Sequence, residues 1–169
     1  MKKLVLLSLF IVAMATAAFA QPRAIGARIG YGVEASYQHS LSEENMVQID
    51  LGVPGFNAVE AVATYNWLNP GGHMIPWEHK GEWNWYAGVG AGAGFGWSYD
   101  ALHPAHGFVG VAGMIGVEYQ FWFPLQLSVD YRPMLGVDMA SDYYGNPIVE
   151  FYGPGLYSGA IALSARYVF

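Results

Sequence analysis

The sequence predicts an all-β fold, an eight-stranded antiparallel up-and-down transmembrane β-barrel, and three observations carry that prediction. The first is strict alternation from Ile161 to Phe169. Ile161, Leu163, Ala165, Tyr167 and Phe169 share one face, while Ala162, Ser164, Arg166 and Val168 share the other. A period of two marks a β-strand, and an apolar face ending on an aromatic suits a strand with lipid on one side. The second is the lack, beyond the first twenty residues, of any charge-free run that also suits a helix. The nearest, Trp83 to Tyr99, carries Gly88, Gly90, Gly92, Gly94 and Gly96 at every second position. Glycine at that spacing weakens a helix and leaves one face of a strand smooth. The third is composition: 12% of residues are charged and 16% aromatic, whereas a water-soluble domain carries about a quarter charged residues.

Residues 1–20 read as an export signal and residues 21–169 as one barrel domain. Lys2 and Lys3 precede an apolar run from Leu4 to Met14, small residues follow, and Ala18, Phe19 and Ala20 fit the A-x-A cleavage pattern. A retained membrane helix is the alternative, but the apolar core is too short to span a bilayer comfortably. Behind the signal, Arg23, Arg28, Lys80, Arg132 and Arg166 face thirteen acids, a formal charge of −8. That balance argues against nucleic acid as a partner. The absence of cysteine excludes disulfides and thiol chemistry.

Eight strands follow in order. Strand one is Ala24 to Tyr31, with a tight turn at Gly32 into strand two, Val33 to Leu41. The polar Ser42 to Asn45 turn the chain into strand three, Met46 to Val53, and Pro54 to Asn57 turn it into strand four, Ala58 to Leu68. Asn69 to Gly81, with its Pro-Gly-Gly, is a long connection. Strand five is Glu82 to Ser98, a loop covers Asp100 to His106, and strand six is Gly107 to Phe121. Trp122 to Pro124 lead into strand seven, Leu125 to Val137. Asp138 to Pro147 form a polar loop before strand eight, which reaches Phe169. An even count puts both ends on one side, as single-chain bacterial barrels require.

Parity then sorts side chains. On the outward parity, Tyr37, Tyr65, Trp67, Trp83, Trp85, Tyr119, Phe121, Tyr167 and Phe169 all fall at the periplasmic end of their strands and form an aromatic girdle. Phe95, Trp97 and Tyr99 begin an outer belt, with Tyr143, Tyr144, Phe151 and Tyr152 nearby; Tyr131, at mid-strand, fits neither. On the inward parity lie the charges. Arg28, Arg132 and Arg166 are the internal cations, with Glu34, Asp50, Glu60, Glu118 and Asp130 as their counter-charges. The interior of an eight-stranded barrel is just filled by side chains, so the expected lumen is plugged. The strand-five glycines are expected to make room for the Arg and Glu heads opposite.

Ile25 to Gln38 (IGARIGYGVEASYQ), Ile49 to Val53 (IDLGV), Trp85 to Gly92 (WYAGVGAG), Gly116 to Pro133 (GVEYQFWFPLQLSVDYRP) and the terminal Ala165 to Phe169 (ARYVF) together resemble small outer-membrane barrels of the OmpA-transmembrane-domain/OmpX-like superfamily, most closely the Bacteroidota-type short barrels. The resemblance implies a fold in the bacterial outer membrane, contact with its lipids and lipopolysaccharide, and insertion by the barrel-assembly machinery through the C-terminal strand. It implies no activity, since such families include adhesins and structural barrels. The connection from Asn69 to Gly81 departs from the pattern. It falls on the periplasmic side, where turns are usually short, and the girdle favours reading it as a long inner turn.

Chemistry is sparse. His103 and His106 with Asp100, or His73 and His79 with Glu78, have ligand types for Zn²⁺, yet H-x-x-H without a helix is weak. A lipid A-modifying hydrolase or acyltransferase is the alternative function, with Ser98, His103 or His106, and Asp100 or Glu150 as nucleophile, base and orienter. The adjacent His39 and Ser40 precede a periplasmic turn, which argues against that site. Gly88, Gly90 and Ala93 match a dinucleotide fingerprint with no helix to follow. Asp138, Asp142, Asn146 and Glu150 form an acidic loop that suits Ca²⁺ or plain solvation. The reading is a non-enzymatic, monomeric outer-membrane barrel of structural or surface-interaction role, with no cofactor and a surface partner that the sequence does not name.

Overall fold

The computed structural model describes residues 23–70, 80–97, 105–141, 146–152 and 160–169. The segment read as a signal, residues 1–20, lies outside them. Ten strands are present: β1 Arg23–Ile29, β2 Gly32–Ser40, β3 Asn45–Pro54, β4 Ala58–Leu68, β5 Gly81–Trp97, β6 Ala105–Phe121, β7 Leu125–Tyr131, β8 Met134–Ser141, β9 Pro147–Tyr152 and β10 Ile161–Val168. They make an eight-stranded antiparallel up-and-down barrel because β7 with β8, and β9 with β10, each occupy one staff. The barrel closes where β1 meets β10, from Ala24↔Val168 to Ile29↔Leu163. Across from that seam, β5 and β6 pair along their whole length, from Gly81↔Phe121 to Trp97↔Ala105.

The seventh expected strand is interrupted at Arg132 and Pro133. Proline has no N–H to give the ladder, but its carbonyl still accepts from Gly113, and β7 and β8 meet β6 in one unbroken register. The eighth is divided differently. Nine positions separate Tyr152 from Ile161, while five separate their partners Gly136 and Tyr131, so the register shifts by four between β9 and β10.

Several boundaries differ from the sequence reading. The first turn lies at Gly30 and Tyr31, with Gly30 N–H donating to the Gly32 carbonyl, so Gly32 already belongs to β2. His106 and Asp138, both expected in loops, sit in β6 and β8, because β-pairing continues past the sequence's polar signals: His106 faces Ala140 and Asp138 faces Phe108. Pro54–Gly55–Phe56–Asn57 turn β3 into β4 with positive φ at both Gly55 and Phe56, the twist that tight hairpins demand. Leu68 and Gly81, which flank the connection after β4, lie at the same end of the barrel as Arg23 and Phe169, together with 41–44 and 122–124. We call this the terminal end and its opposite the hairpin end.

The burial pattern is inverted relative to a water-soluble fold. Sixteen polar or charged residues are buried among the described residues, against eleven hydrophobic ones. Meanwhile Ile25, Ile29, Leu51, Val89, Val111, Ile115 and Leu163 are each more than half exposed. The outer face is thus largely apolar and the interior polar, the reverse of the usual partition in a water-soluble domain.

Candidate functional site

Among the described residues the interior is where charged and polar side chains concentrate, and alternation along each strand puts them there. Even positions of β2, β3 and β4 point inward, so Glu34, Asp50 and Glu60 come from three neighbouring strands to one level. Arg28 reaches them from β1, Asp130 from β7. Arg132 enters from the junction of β7 and β8, where the following proline holds it extended and its own N–H donates to the Ala160 carbonyl.

Two guanidiniums join these four acids. Arg28 donates from Nε and Nη2 to Asp130 Oδ1 at 2.9 and 2.6 Å, and from Nη1 to Glu34 Oε1 at 3.0 Å. Arg132 donates from Nη1 to Asp50 Oδ2 at 2.6 Å and from Nη2 to both Glu34 Oε1 and Glu60 Oε1 at 2.8 Å. Glu34 Oε1 therefore bridges the two arginines, and the bonds cross the lumen from β7 to β4. Each is charge-assisted, the stronger class of protein hydrogen bond. Four carboxylates still outnumber two guanidiniums, and Glu34 Oε2 and Asp50 Oδ1 accept nothing although buried.

Toward the terminal end direct ion pairs give way to hydrogen bonds with neutral partners. Asp50 also accepts from Gln48, whose Oε1 accepts from Gln38. Arg166 departs from the expectation that it pairs with an acid: it donates to Ser36, Ser128 and Ser164 at 3.0, 2.8 and 3.2 Å. Its place on β10 sets it level with small hydroxyl residues of β2 and β7, so oxygen dipoles surround the charge. Glu118 accepts from Gln126 at 2.6 Å.

Residues not singled out in the sequence complete the filling. Tyr86 is 0% exposed, and its hydroxyl donates to Asp130 Oδ2 at 3.5 Å. Its inward parity was legible on β5, hidden among glycines. Those glycines accommodate different neighbours from the ones expected. A Cβ at Gly88 would meet Asn66, one at Gly92 Val62 and Met134, one at Gly94 the Phe108 ring, and one at Gly96 the His106 ring. The Arg and Glu heads gain space elsewhere, as where Gly52 lies against Glu34.

On the outer face, the nine aromatic residues read as a girdle all lie toward the terminal end. Ring centroids of Tyr65 and Trp67 are 5.3 Å apart, those of Trp83 and Tyr119 4.9 Å, and those of Tyr119 and Phe121 4.6 Å. Tyr167 and Phe169 stack at 6.4 Å. Tyr37 is half-buried beside His39, and Trp85 is half-buried opposite Val117. Phe95, Trp97 and Phe151 are exposed toward the hairpin end. Tyr131 remains outside both belts, with a buried hydroxyl that has no hydrogen-bond partner.

The catalytic and metal candidates do not assemble among the described residues. Ser98, Asp100, His103, His73, Glu78, His79 and Asp142 lie outside them. His106 Nε2 is 4.0 Å from Asp138 Oδ1, and Glu150, opposite Asp138 in β9, is exposed. Among the described residues no group of three or more His, Asp or Glu is disposed to hold a metal ion. His39 and Ser40 end β2, at the terminal end. Gly88, Gly90 and Ala93 lie within β5, which continues as strand to Trp97.

No family model, no curated protein and no solved structure matches the chain.

Proposed function

We propose that this protein is an integral outer-membrane β-barrel of the OmpA-transmembrane-domain/OmpX-like kind, with a closed polar lumen and a structural or surface-interaction role rather than a catalytic one. It is exported through residues 1–20, inserted by the barrel-assembly machinery through its last strand, and sits as a monomer among lipids and lipopolysaccharide. The observation that carries this reading is the inverted burial: eight charged residues from Arg28 to Arg166 are enclosed, while the exposed strand faces present Ile, Val and Leu. A charge on a lipid face costs about 2 to 4 kcal/mol at the midplane, and in water this much exposed apolar surface would drive association. The Arg28 and Arg132 bonds across the lumen support a barrel without a water-filled channel.

A heat-modifiability gel on outer-membrane fractions tests this. The expected result is a fast-migrating band that shifts on boiling; recovery in the soluble periplasm with no shift would overturn it. Planar-bilayer recordings test the closed lumen, which predicts no conductance steps of porin size.

A further inference from the structure

On the outer face, two adjacent rungs of the ladder cross the seam from β5 to β1. The rung nearer the terminal end is Trp83, Tyr119, Leu127, Ala165 and Ala27, each paired with the next. The rung above it runs through Val117, Val129, Leu163 and Ile29. The lower rung begins on two rings and ends on two alanines, so the surface falls away at Ala165 and Ala27. Leu163 and Ile29 stand out above them, at 63% and 57% exposed. The result is a groove of about 470 Å³ lined by both rungs. Ser128 and Ser164 border it too, but their hydroxyls are turned inward to Arg166.

The shape suits an alkyl chain. Four inter-strand steps give the groove a length of about 19 Å. One leaflet's share of a bilayer's hydrocarbon core is about 15 Å, so a single chain laid along the rungs matches that length. A second protein copy is a poorer occupant, since a stable interface takes about 20 to 30 residues a side and this hollow is bounded by two rungs. The ring end of the groove also carries a charge. Tyr119 Oη donates to the Lys80 carbonyl at 2.9 Å, and Gly81, with φ of +137°, lies against the Tyr119 hydroxyl in a conformation that favours glycine. These contacts fix the exposed Lys80 beside the groove. Of the five basic residues beyond residue 20, Arg28, Arg132 and Arg166 are enclosed in the barrel, whereas the Lys80 ammonium is a point cation of the kind that binds phosphate. An apolar trough with a cation at one end complements a molecule with an alkyl chain and an anionic head.

We propose that this groove holds one acyl chain of an anionic phospholipid of the surrounding membrane, with the phosphate on Lys80. The proposal rests on the reading of the outer face as lipid-facing. Native mass spectrometry of the full chain folded in a zwitterionic detergent tests it, with palmitoyl-oleoyl-phosphatidylglycerol as probe and the matching diacylglycerol and glycerol phosphate as controls. The expected result is saturable retention of one phosphatidylglycerol per chain, at least tenfold stronger than either control. Ala165→Phe, which fills the groove from an outward position, should abolish it, and Lys80→Gln should reduce it to the diacylglycerol level. Leu51→Phe, on the outer face of β3 across the barrel, should leave it unchanged. No retention by a chain that shows the heat-shifted band, equal retention of the diacylglycerol, unchanged retention in folded Ala165→Phe or Lys80→Gln, or a dimer mass that Ala165→Phe removes would each overturn it. Recovery in the soluble periplasm with no shift would overturn the outer-membrane reading as well, so the gel tells the two failures apart.

Discussion

Arg132 and Arg166 are both hidden inside the barrel, at 8% and 1% exposed, yet Arg132 donates to three carboxylates and Arg166 to three hydroxyls. Burial alone therefore says little about how either charge is held. In the Arg132 layer, charge meets opposite charge, and anything that removes the arginine leaves ions behind in a poor solvent. In the Arg166 layer the direct partners are neutral hydroxyls, and the buried Glu118, which feels the charge of Arg166, takes its own hydrogen bond from Gln126. Both layers fill the interior, but only in the first does an arginine hold carboxylates by direct hydrogen bonds.

Arg132→Ala should break the comparison most visibly. It strips Glu60 of its arginine, leaves Asp50 with only Gln48 and Glu34 with only Arg28, and the loss of one partner from a buried ionic network costs about 3 to 5 kcal/mol. Urea titration of the folded protein in detergent or liposomes would register this as a lower midpoint, and an unmoved midpoint would mean the carboxylates never depended on Arg132. Arg166→Met, measured the same way, should cost less, about 1 to 3 kcal/mol, because its direct partners are three serine hydroxyls and the nearby Glu118 keeps its hydrogen bond from Gln126. A loss as large as that of Arg132→Ala would erase the distinction between the layers.

The difference between the layers also marks where the sequence stopped being readable. Period-two alternation placed Arg28, Glu34, Asp50, Glu60, Asp130 and Arg132 on the inward parity, because a strand's side chains have only two directions. Which inward residues meet is decided by register and strand tilt, and those are set by turn geometry across the whole sheet. Moving the first turn from Gly32 to Gly30 and Tyr31 illustrates how a two-residue misreading at a glycine-rich turn passes unnoticed in parity while changing the pairing. Arg166 shows the consequence: its inward direction was plain, its serine partners were not, since Ser36 and Ser128 look unremarkable in isolation. The inclusion of His106 in β6 and Asp138 in β8 was likewise hidden, because polar residues beside a turn read as loop. Glycine on β5 announced empty space without saying that Asn66, Phe108 and His106 would fill it.

The smallest effect is expected at Glu60, and it separates the two layers from within. If the upper layer holds a surplus of negative charge, neutralising one of its acids should be nearly free. A glutamine at position 60 keeps an oxygen where Arg132 now donates at 2.8 Å, so the bond persists in a weaker, neutral-acceptor form. Against that loss stands relief of repulsion from Glu34, which shares the same Arg132 nitrogen. The two changes are of similar size, and Glu60→Gln should shift stability by less than about 1 kcal/mol in either direction. A urea midpoint lowered as far as by Arg132→Ala would show that all four carboxylates are needed as charges. The layer would then be balanced by something beyond its two arginines.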